Sequence, residues 1–508
     1  MKKSILALSA AVAVSGLGFA GAANALAVFD VGSSTASEVQ LAPSAVGHYL
    51  FTPYFTTQSQ NNTLLSVVNT DTVNGKAVKV RFRGAANSDD ILDFTLFLSP
   101  GDVWTASLKQ GVNGLTEITS PDNSCTLPQD ITNVPFRTGR LDQSLSDAAL
   151  ASHTREGYVE FLNMADVPPG SALYKNIKHV KGVAPCDLAA FADVLNTSVV
   201  TADEAREAGL DNPTDGLTGG WTILRLDNIS TFSGTHTAVV ATDGSLSSIN
   251  GQPVSVAGNF AFSPQSDEPI GAAANVDNLS ADPLLKGGAG AIIEPLWMDL
   301  PDMSTPLVNG YVADQQATDL SFVLAKAKVM NEFVSTLDGA VVPGDTDWVV
   351  SQPTRRYNVA LDYNAASTAV ARVFNPAITA YYTPGNTRVV DKGELGDLIC
   401  LRGKFSGSDR EEGGQDTSVS FSPAEAASAY CGEVFTLTFN RASSQVLSAA
   451  LTNVPVALKI NNAAPEAGWA TFAPSSAPAG LPMTGFSAIS LKDVANHGNY
   501  GYTYGHRW

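Results

Sequence analysis

Residues 76–108, "KAVKVRFRGAANSDDILDFTLFLSPGDVWTASL", alternate apolar and polar side chains with a period of two. Val78, Val80 and Phe82 interleave with Lys79, Arg81 and Arg83, and Leu92, Phe94, Leu96 and Leu98 interleave with Asp93, Thr95, Phe97 and Ser99. Successive side chains of an extended strand point to opposite faces, so each run predicts a strand with one face in a core. The Lys79/Arg81/Arg83 stripe is then expected to face water and to pair with Asp89, Asp90 or Asp93 across the hairpin. The breaks between runs carry turn chemistry: "NTDTVNG" (69–75), "AANSDD" (85–90), and Ser99-Pro100-Gly101-Asp102, with Pro and Gly where a type II turn requires them. Strands of this length joined by tight polar turns predict an antiparallel β-sandwich.

The same grammar recurs along the chain. "REGYVEFLNM" (155–164), Trp221–Leu226 and "THTAVVATD" (235–243) read as strands. "PCDLAAFADVL" (185–195) reads as a short helix with Leu188, Phe191 and Leu195 on one side, and 250–290 reads as long loops. "ATDLSFVLAKAKVMNEFVS" (317–335) starts helical and turns to strand at Glu332-Phe333-Val334. Residues 345–363 and 367–375, "EVFTLTFN" (433–440), "NVPVALKI" (453–460), "GWATFA" (468–473) and an aromatic final strand supply a second β set. The prediction is a mainly β chain: two antiparallel β-sandwich-like (Ig-like) units with short helical inserts. The first covers 26–250 with its insert near 185–210, a loop-rich and partly helical connection covers 251–340, and the second covers 341–508. No repeat of fixed period occurs, which argues against a solenoid or propeller.

The N-terminus reads as a secretory signal peptide, residues 1–25: Lys2 and Lys3, an apolar run from Ile5 to Ala20, then Ala23-Asn24-Ala25 with small residues where a signal peptidase needs them. Cleavage leaves about 480 residues, enough for two or three cores, and no transmembrane helix is expected in the mature chain. It also leaves 28 basic against 49 acidic residues, a balance of −21 that disfavours nucleic acid and anionic lipid as partners. Four cysteines in an exported chain predict two disulfides. Three pairings are possible, and sequence neighbourhood favours Cys125 with Cys186 and Cys400 with Cys431.

"LPMTG" (481–485) matches a cell-wall sorting signal, but "FSAISLKDVANHGNYGYTYGHRW" follows it, with Lys492, Asp493, Asn496 and His497 where an apolar span of ~20 residues would be needed. The stretch is instead expected to be a turn between two strands. Tyr500, Tyr502, Tyr504, His506 and Trp508 alternate to the end, like the closing strand of an outer-membrane barrel. A barrel needs many such segments with lipid-facing apolar positions, so an ordinary closing strand with an aromatic face is the reading adopted.

Taken together, "PYFTT", "TLLSVVNTDT", "VKVRFRGAANSDDILDFTLFLSPGDVW", "REGYVEFLNM", "GLTGGW", "TDWVVSQPTRR" and "GLPMTGF" resemble a group of exported bacterial cell-surface proteins with β-sandwich-type domains. The resemblance spans most of the mature chain and carries no catalytic residues. It implies a Gram-negative envelope or surface location and a non-enzymatic role.

Motifs of chemistry are sparse. There is no G-x-S-x-G elbow, and His48, His153, His179, His236, His497 and His506 show no HxH or HExxH spacing. His497 and His506 lie near the tyrosine-rich end and are expected to be surface histidines. Asp299 and Asp302, beside Trp297, are the nearest pair for glycoside chemistry, weighed against a Trp buried under a loop. "KGGAGA" (286–291) lacks the spacing of a phosphate loop. Asp211, Asn212 and Asp215, and Asp345 with Asp347, offer hard oxygens for structural calcium; no other cofactor is expected. The functional expectation is an exported, non-enzymatic structural protein of the outer envelope or cell surface, acting by self-association or by binding envelope components. A secreted carbohydrate-binding protein or hydrolase using the sandwich rim is the first alternative and an outer-membrane β-barrel the second.

Overall fold

The computed structural model describes residues 28–195, 201–263, 283–285, 300–336, 343–414, 429–475, 477, 479–493 and 498–508. The expected signal peptide, Trp297, Asp299, "KGGAGA" and His497 lie outside the described residues. The chain is mainly β, with two sandwiches built from antiparallel strands. In the first, Tyr49–Thr56, Glu156–Val167, Gly75–Gly84 and Asp90–Leu98 are neighbours in that order. They face Val103–Gln110, Asn62–Asn69, Leu217–Arg225 and Ser230–Thr235. In the second, Val329–Val334, Ala467–Pro474, Asp397–Asp409 and Ala429–Cys431 face Val434–Phe439, Gly344–Ser351, Thr484–Asp493 and Gly498–Gly505. Each four-strand path is open, with two ends, and no closed sheet occurs among the described residues.

Read in chain order, the two units repeat each other strand for strand and pairing for pairing. Single side chains follow the repeat. Thr63 Oγ1 accepts from Thr56 N (3.0 Å) and donates to Thr56 O (2.9 Å), closing the sheet edge; Thr346 Oγ1 does the same with Val334 (2.8 and 2.9 Å). Three residues further on, the carbonyls of Ser66 and Val349 receive His236 Nε2 (2.9 Å) and His506 Nε2 (2.8 Å). The same two carbonyls press on Gly219 (φ +156°) and Gly485 (φ +149°), where an added Cβ would lie 2.0 Å from each oxygen. Only glycine permits that approach. The expected turn at "LPMTG" is therefore corrected. Leu481–Pro482 is a short strand paired with Ala325–Lys326, and Gly485 lies inside the next strand as the point of close approach.

The inward alternation is as expected: Val78, Val80, Phe82, Phe94, Leu96 and Trp104 are all buried. The outward expectation is corrected. Lys79, Arg81 and Arg83 are also buried: the second unit's Tyr357 lies close to Arg83, and the insert packs on Ala77 and Phe97 at the other end of the same face. Arg81 does reach Asp93 (3.0 Å) and Asp90 (3.5 Å) across the hairpin, but inside the protein. The main apolar clusters are correspondingly shared. The first unit's cluster includes Val434, Leu447, Leu451 and Phe486 from the second, and the second unit's includes Tyr49, Phe51, Leu162 and Val239 from the first. A third cluster seats the insert: Phe191 of the Leu188–Leu195 helix packs on Phe97, with ring centroids 4.9 Å apart. Of the connecting region, Ala313–Leu324 is helical and leads into Val329–Val334, as the sequence suggests.

The two cysteine pairs form as sequence neighbourhood favours, Cys125–Cys186 and Cys400–Cys431. They span 61 and 31 residues, and each bond stabilises by ~4 kcal/mol through loop closure in the unfolded chain. Cys400 and Cys431 are buried cross-strand partners, whereas Cys186 is partly open to solvent. Mild reductant on the native protein is therefore expected to open Cys125–Cys186 first and leave Cys400–Cys431 intact until the chain unfolds. Alkylation followed by mass spectrometry of the four cysteines checks the order.

Candidate functional site

Of the side chains suggested for calcium, Asp211, Asn212, Asp345 and Asp347 are engaged by the protein itself. Asp347 is buried and accepts from Thr438 Oγ1 (2.7 Å), Ser444 Oγ (2.5 Å), Val446 N (3.0 Å) and Leu447 N (2.8 Å). Asp345, on the same strand, accepts from Arg441 Nε at 2.7 Å. Asn212 accepts from Arg206 Nη2 (2.8 Å) and donates to Ser33 Oγ and Gly258 O, and Asp211 accepts from Asn212 N. Asp215 sits on the loop entering Leu217–Arg225. Among the described residues no group of three or more His, Cys, Asp or Glu side chains could hold a metal ion. Asp302 is not an open carboxylate. It is buried, accepts from Ser304 N (2.8 Å) and Ser304 Oγ (2.6 Å), and pairs with Arg356 at 3.5 Å.

His48, His236 and His506 are likewise structural in placement. His506 is buried rather than at the surface: its Nε2–H donates to Val349 O, and its Nδ1 accepts from Asn331 Nδ2 at 3.2 Å. Burial lowers its pKa to about 4, as it does for His236, and to about 3 for His48, where nearby Lys76 adds to the effect. Among the described residues, Ser99, His179 and Asp102 form a Ser–His–Asp trio that the sequence did not mark. Ser99 Oγ and Asp102 Oδ2 lie 3.2 and 3.4 Å from His179, but both approach the same nitrogen, Nδ1. A hydrolytic triad needs the acid on one ring nitrogen and the nucleophile on the other, so this trio has no relay geometry.

One open groove of about 590 Å³ lies at the edge of the second unit, lined by residues from both of its sheets. Trp469, the third residue of Ala467–Pro474 and on its outward face, stands beside its cross-strand neighbours Glu332 and Ser408. Tyr502 of the closing strand also lines it, and Arg507 Nη2 lies 3.4 Å from Glu332 Oε1. Asp409, Arg410 and Glu412 close one end. The internal repeat gives this site meaning. Gly157 and Gly468 are equivalent, each with an added Cβ 1.9 Å from a carbonyl of the neighbouring strand, so Tyr158 and Trp469 occupy the same position. Tyr158 is 0% exposed under the second unit, with its hydroxyl 2.6 Å from Ser88 Oγ; Trp469 is 51% exposed. The fold therefore covers this position once and leaves it uncovered once. A second groove, about 720 Å³ over the six-stranded sheet beside Leu64, Ser66 and Thr222, has no charged side chain in its lining.

The sequence reading places strands under Trp469 and Tyr502 but assigns neither to a site. The signal was there in a tryptophan at an outward position of a strand, yet its exposure depends on which face the other unit covers. The chain matches no protein-family model, no curated protein and no solved structure. Its class is defined by architecture: a two-unit antiparallel β-sandwich protein with two disulfides, and no helix among the described residues is long and apolar enough to cross a membrane.

Proposed function

We propose that this is an exported, non-enzymatic protein of the Gram-negative outer envelope or cell surface, which acts by holding a partner against its outer walls. The observation that carries the reading is the uncovered Trp469 groove, set on strands of a cross-linked scaffold whose buried carboxylates and imidazoles are engaged in holding the fold. An exposed tryptophan ringed by charges is what a binding surface retains and a purely structural face does not need. Two disulfides are compatible with an exported protein. Fractionation of cells producing the full chain tests the reading. Expected are a mature N-terminus after Ala25, recovery with the envelope, and digestion by protease added to intact cells. Recovery as a reduced cytosolic chain would sink it.

A further inference from the structure

We infer that the Trp469 groove is a saccharide site that takes the apolar face of a pyranose ring in a neutral oligosaccharide. This rests on the surface-binding reading and names the chemistry of its partner. A pyranose presents C–H bonds on its faces and hydroxyls, each both donor and acceptor, around its edge. An indole offers the complementary flat apolar surface. Carboxylates accept from the hydroxyls and guanidinium groups donate to them, through bonds strengthened by charge.

The groove supplies each part in the right place. Glu332 is the direct cross-strand partner of Trp469, which sets a carboxylate at the edge of the indole. Arg507 and Glu332 form an exposed pair at 3.4 Å, with side chains 66% and 53% exposed. Such a pair adds little to the fold, so both ends are free to turn toward a ligand. Asp409, Glu412 and Arg410 extend the polar edge, and Tyr502 adds a second aromatic to the lining. Three carboxylates against two guanidiniums leave the site nearly balanced, which suits an uncharged sugar better than an anionic or cationic one. The volume of about 590 Å³ lies within the range of small-ligand sites. The aromatic and the acid sit on strands, so their spacing is fixed before any ligand arrives.

The test is titration of the full mature chain with cellohexaose, chitohexaose and laminarihexaose, followed by calorimetry and tryptophan fluorescence. Saturable binding of at least one is expected, weakened at least tenfold by Trp469→Ala and also by Glu332→Ala, with unchanged thermal melts. Absence of binding to all three, or binding that survives Trp469→Ala, overturns the inference. So does a Trp469→Ala variant that binds sugar normally but sediments as a smaller species, since the groove would then hold a second copy of the chain. Release of shorter sugars during the titration would overturn the non-enzymatic reading and leave the saccharide site standing. Failure to bind, with the chain still at the cell surface, overturns the saccharide assignment alone.

Discussion

Glu433→Ala is expected to cost about 3–5 kcal/mol of stability, one of the largest effects available from a single side chain in this protein. Glu433 and Arg355 are both buried and meet at 2.6 Å. Arg355 donates onward to Ile399 O (3.0 Å), Gly432 O (2.8 Å) and, across the junction of the two units, Ala86 O (3.2 Å). Removing the carboxylate leaves a guanidinium charge away from water with no counter-charge at that contact. Glu433→Gln keeps the shape but not the charge and should lose a comparable amount. The double replacement Arg355→Met/Glu433→Leu removes both charges and is expected to recover most of the loss, because an apolar pair of similar volume avoids the desolvation cost. Urea unfolding of these variants measures the losses, and adding Arg355→Met and Glu433→Leu alone completes a double-mutant cycle with the parent and the double replacement. Single replacements that cost less than about 1 kcal/mol would show that the pair contributes no more than an exposed one.

Acidification is expected to destabilise the protein between pH 6.5 and pH 4. His48, His236 and His506 are held neutral in the fold, with pKa lowered from 6.5 to about 3, about 4 and about 4. A depressed histidine pKa means that the unfolded chain binds the proton first. The stabilising contribution is therefore complete above pH 6.5 and is lost as pH falls toward the folded value. Each of His236 and His506 contributes on the order of 3 kcal/mol by this linkage. The geometry says why: protonating Nδ1 of His506 would point a new N–H at the Asn331 amide donor. Buried Asp347 and Asp166, whose pKa burial raises, act in the opposite sense: their contribution is complete below 3.8 and diminishes as pH rises above it. The histidine part is isolated by comparing the pH dependence of urea midpoints in the parent, His236→Gln and His506→Gln. Each variant should flatten the slope between pH 6.5 and 4. Unchanged slopes would mean that these imidazoles are already protonated in the native state or never bury.

The strands were legible because their alternation is local, and the pairing of Cys125 with Cys186 and of Cys400 with Cys431 followed from sequence neighbourhood. The duplication was not legible, because almost nothing it preserves is contiguous. Thr63 and Thr346, Gly219 and Gly485, Gly157 and Gly468, and His236 and His506 match in role, but the segments between them differ in length. A search for a fixed period passes over such pairs. The burial of Lys79, Arg81 and Arg83 is not legible in their alternation for a related reason. Alternation says that a strand has two faces, and only the arrangement of whole units says whether the second face meets water or a neighbour. The same uncertainty hid Trp469, whose counterpart Tyr158 is buried. The carboxylates of Glu156 and Asp347 show the limit most directly. Glu156 accepts from Ala450 N (2.8 Å) and Leu451 N (3.0 Å), almost 300 residues away, and no local pattern marks either partner.

Because apolar residues of each half complete the interior of the other, neither half is a separable module. A chain cut down to its first sandwich would lose the valines, leucines and phenylalanine that the sister unit lends it, and the fully buried Arg83–Glu160 pair (3.5 Å) would lose the cover of the second unit's Tyr357. Such a fragment would collapse or aggregate rather than fold. Heating the intact protein should melt both halves in a single event, as though an ancestral pair of subunits had been tied together and could no longer part.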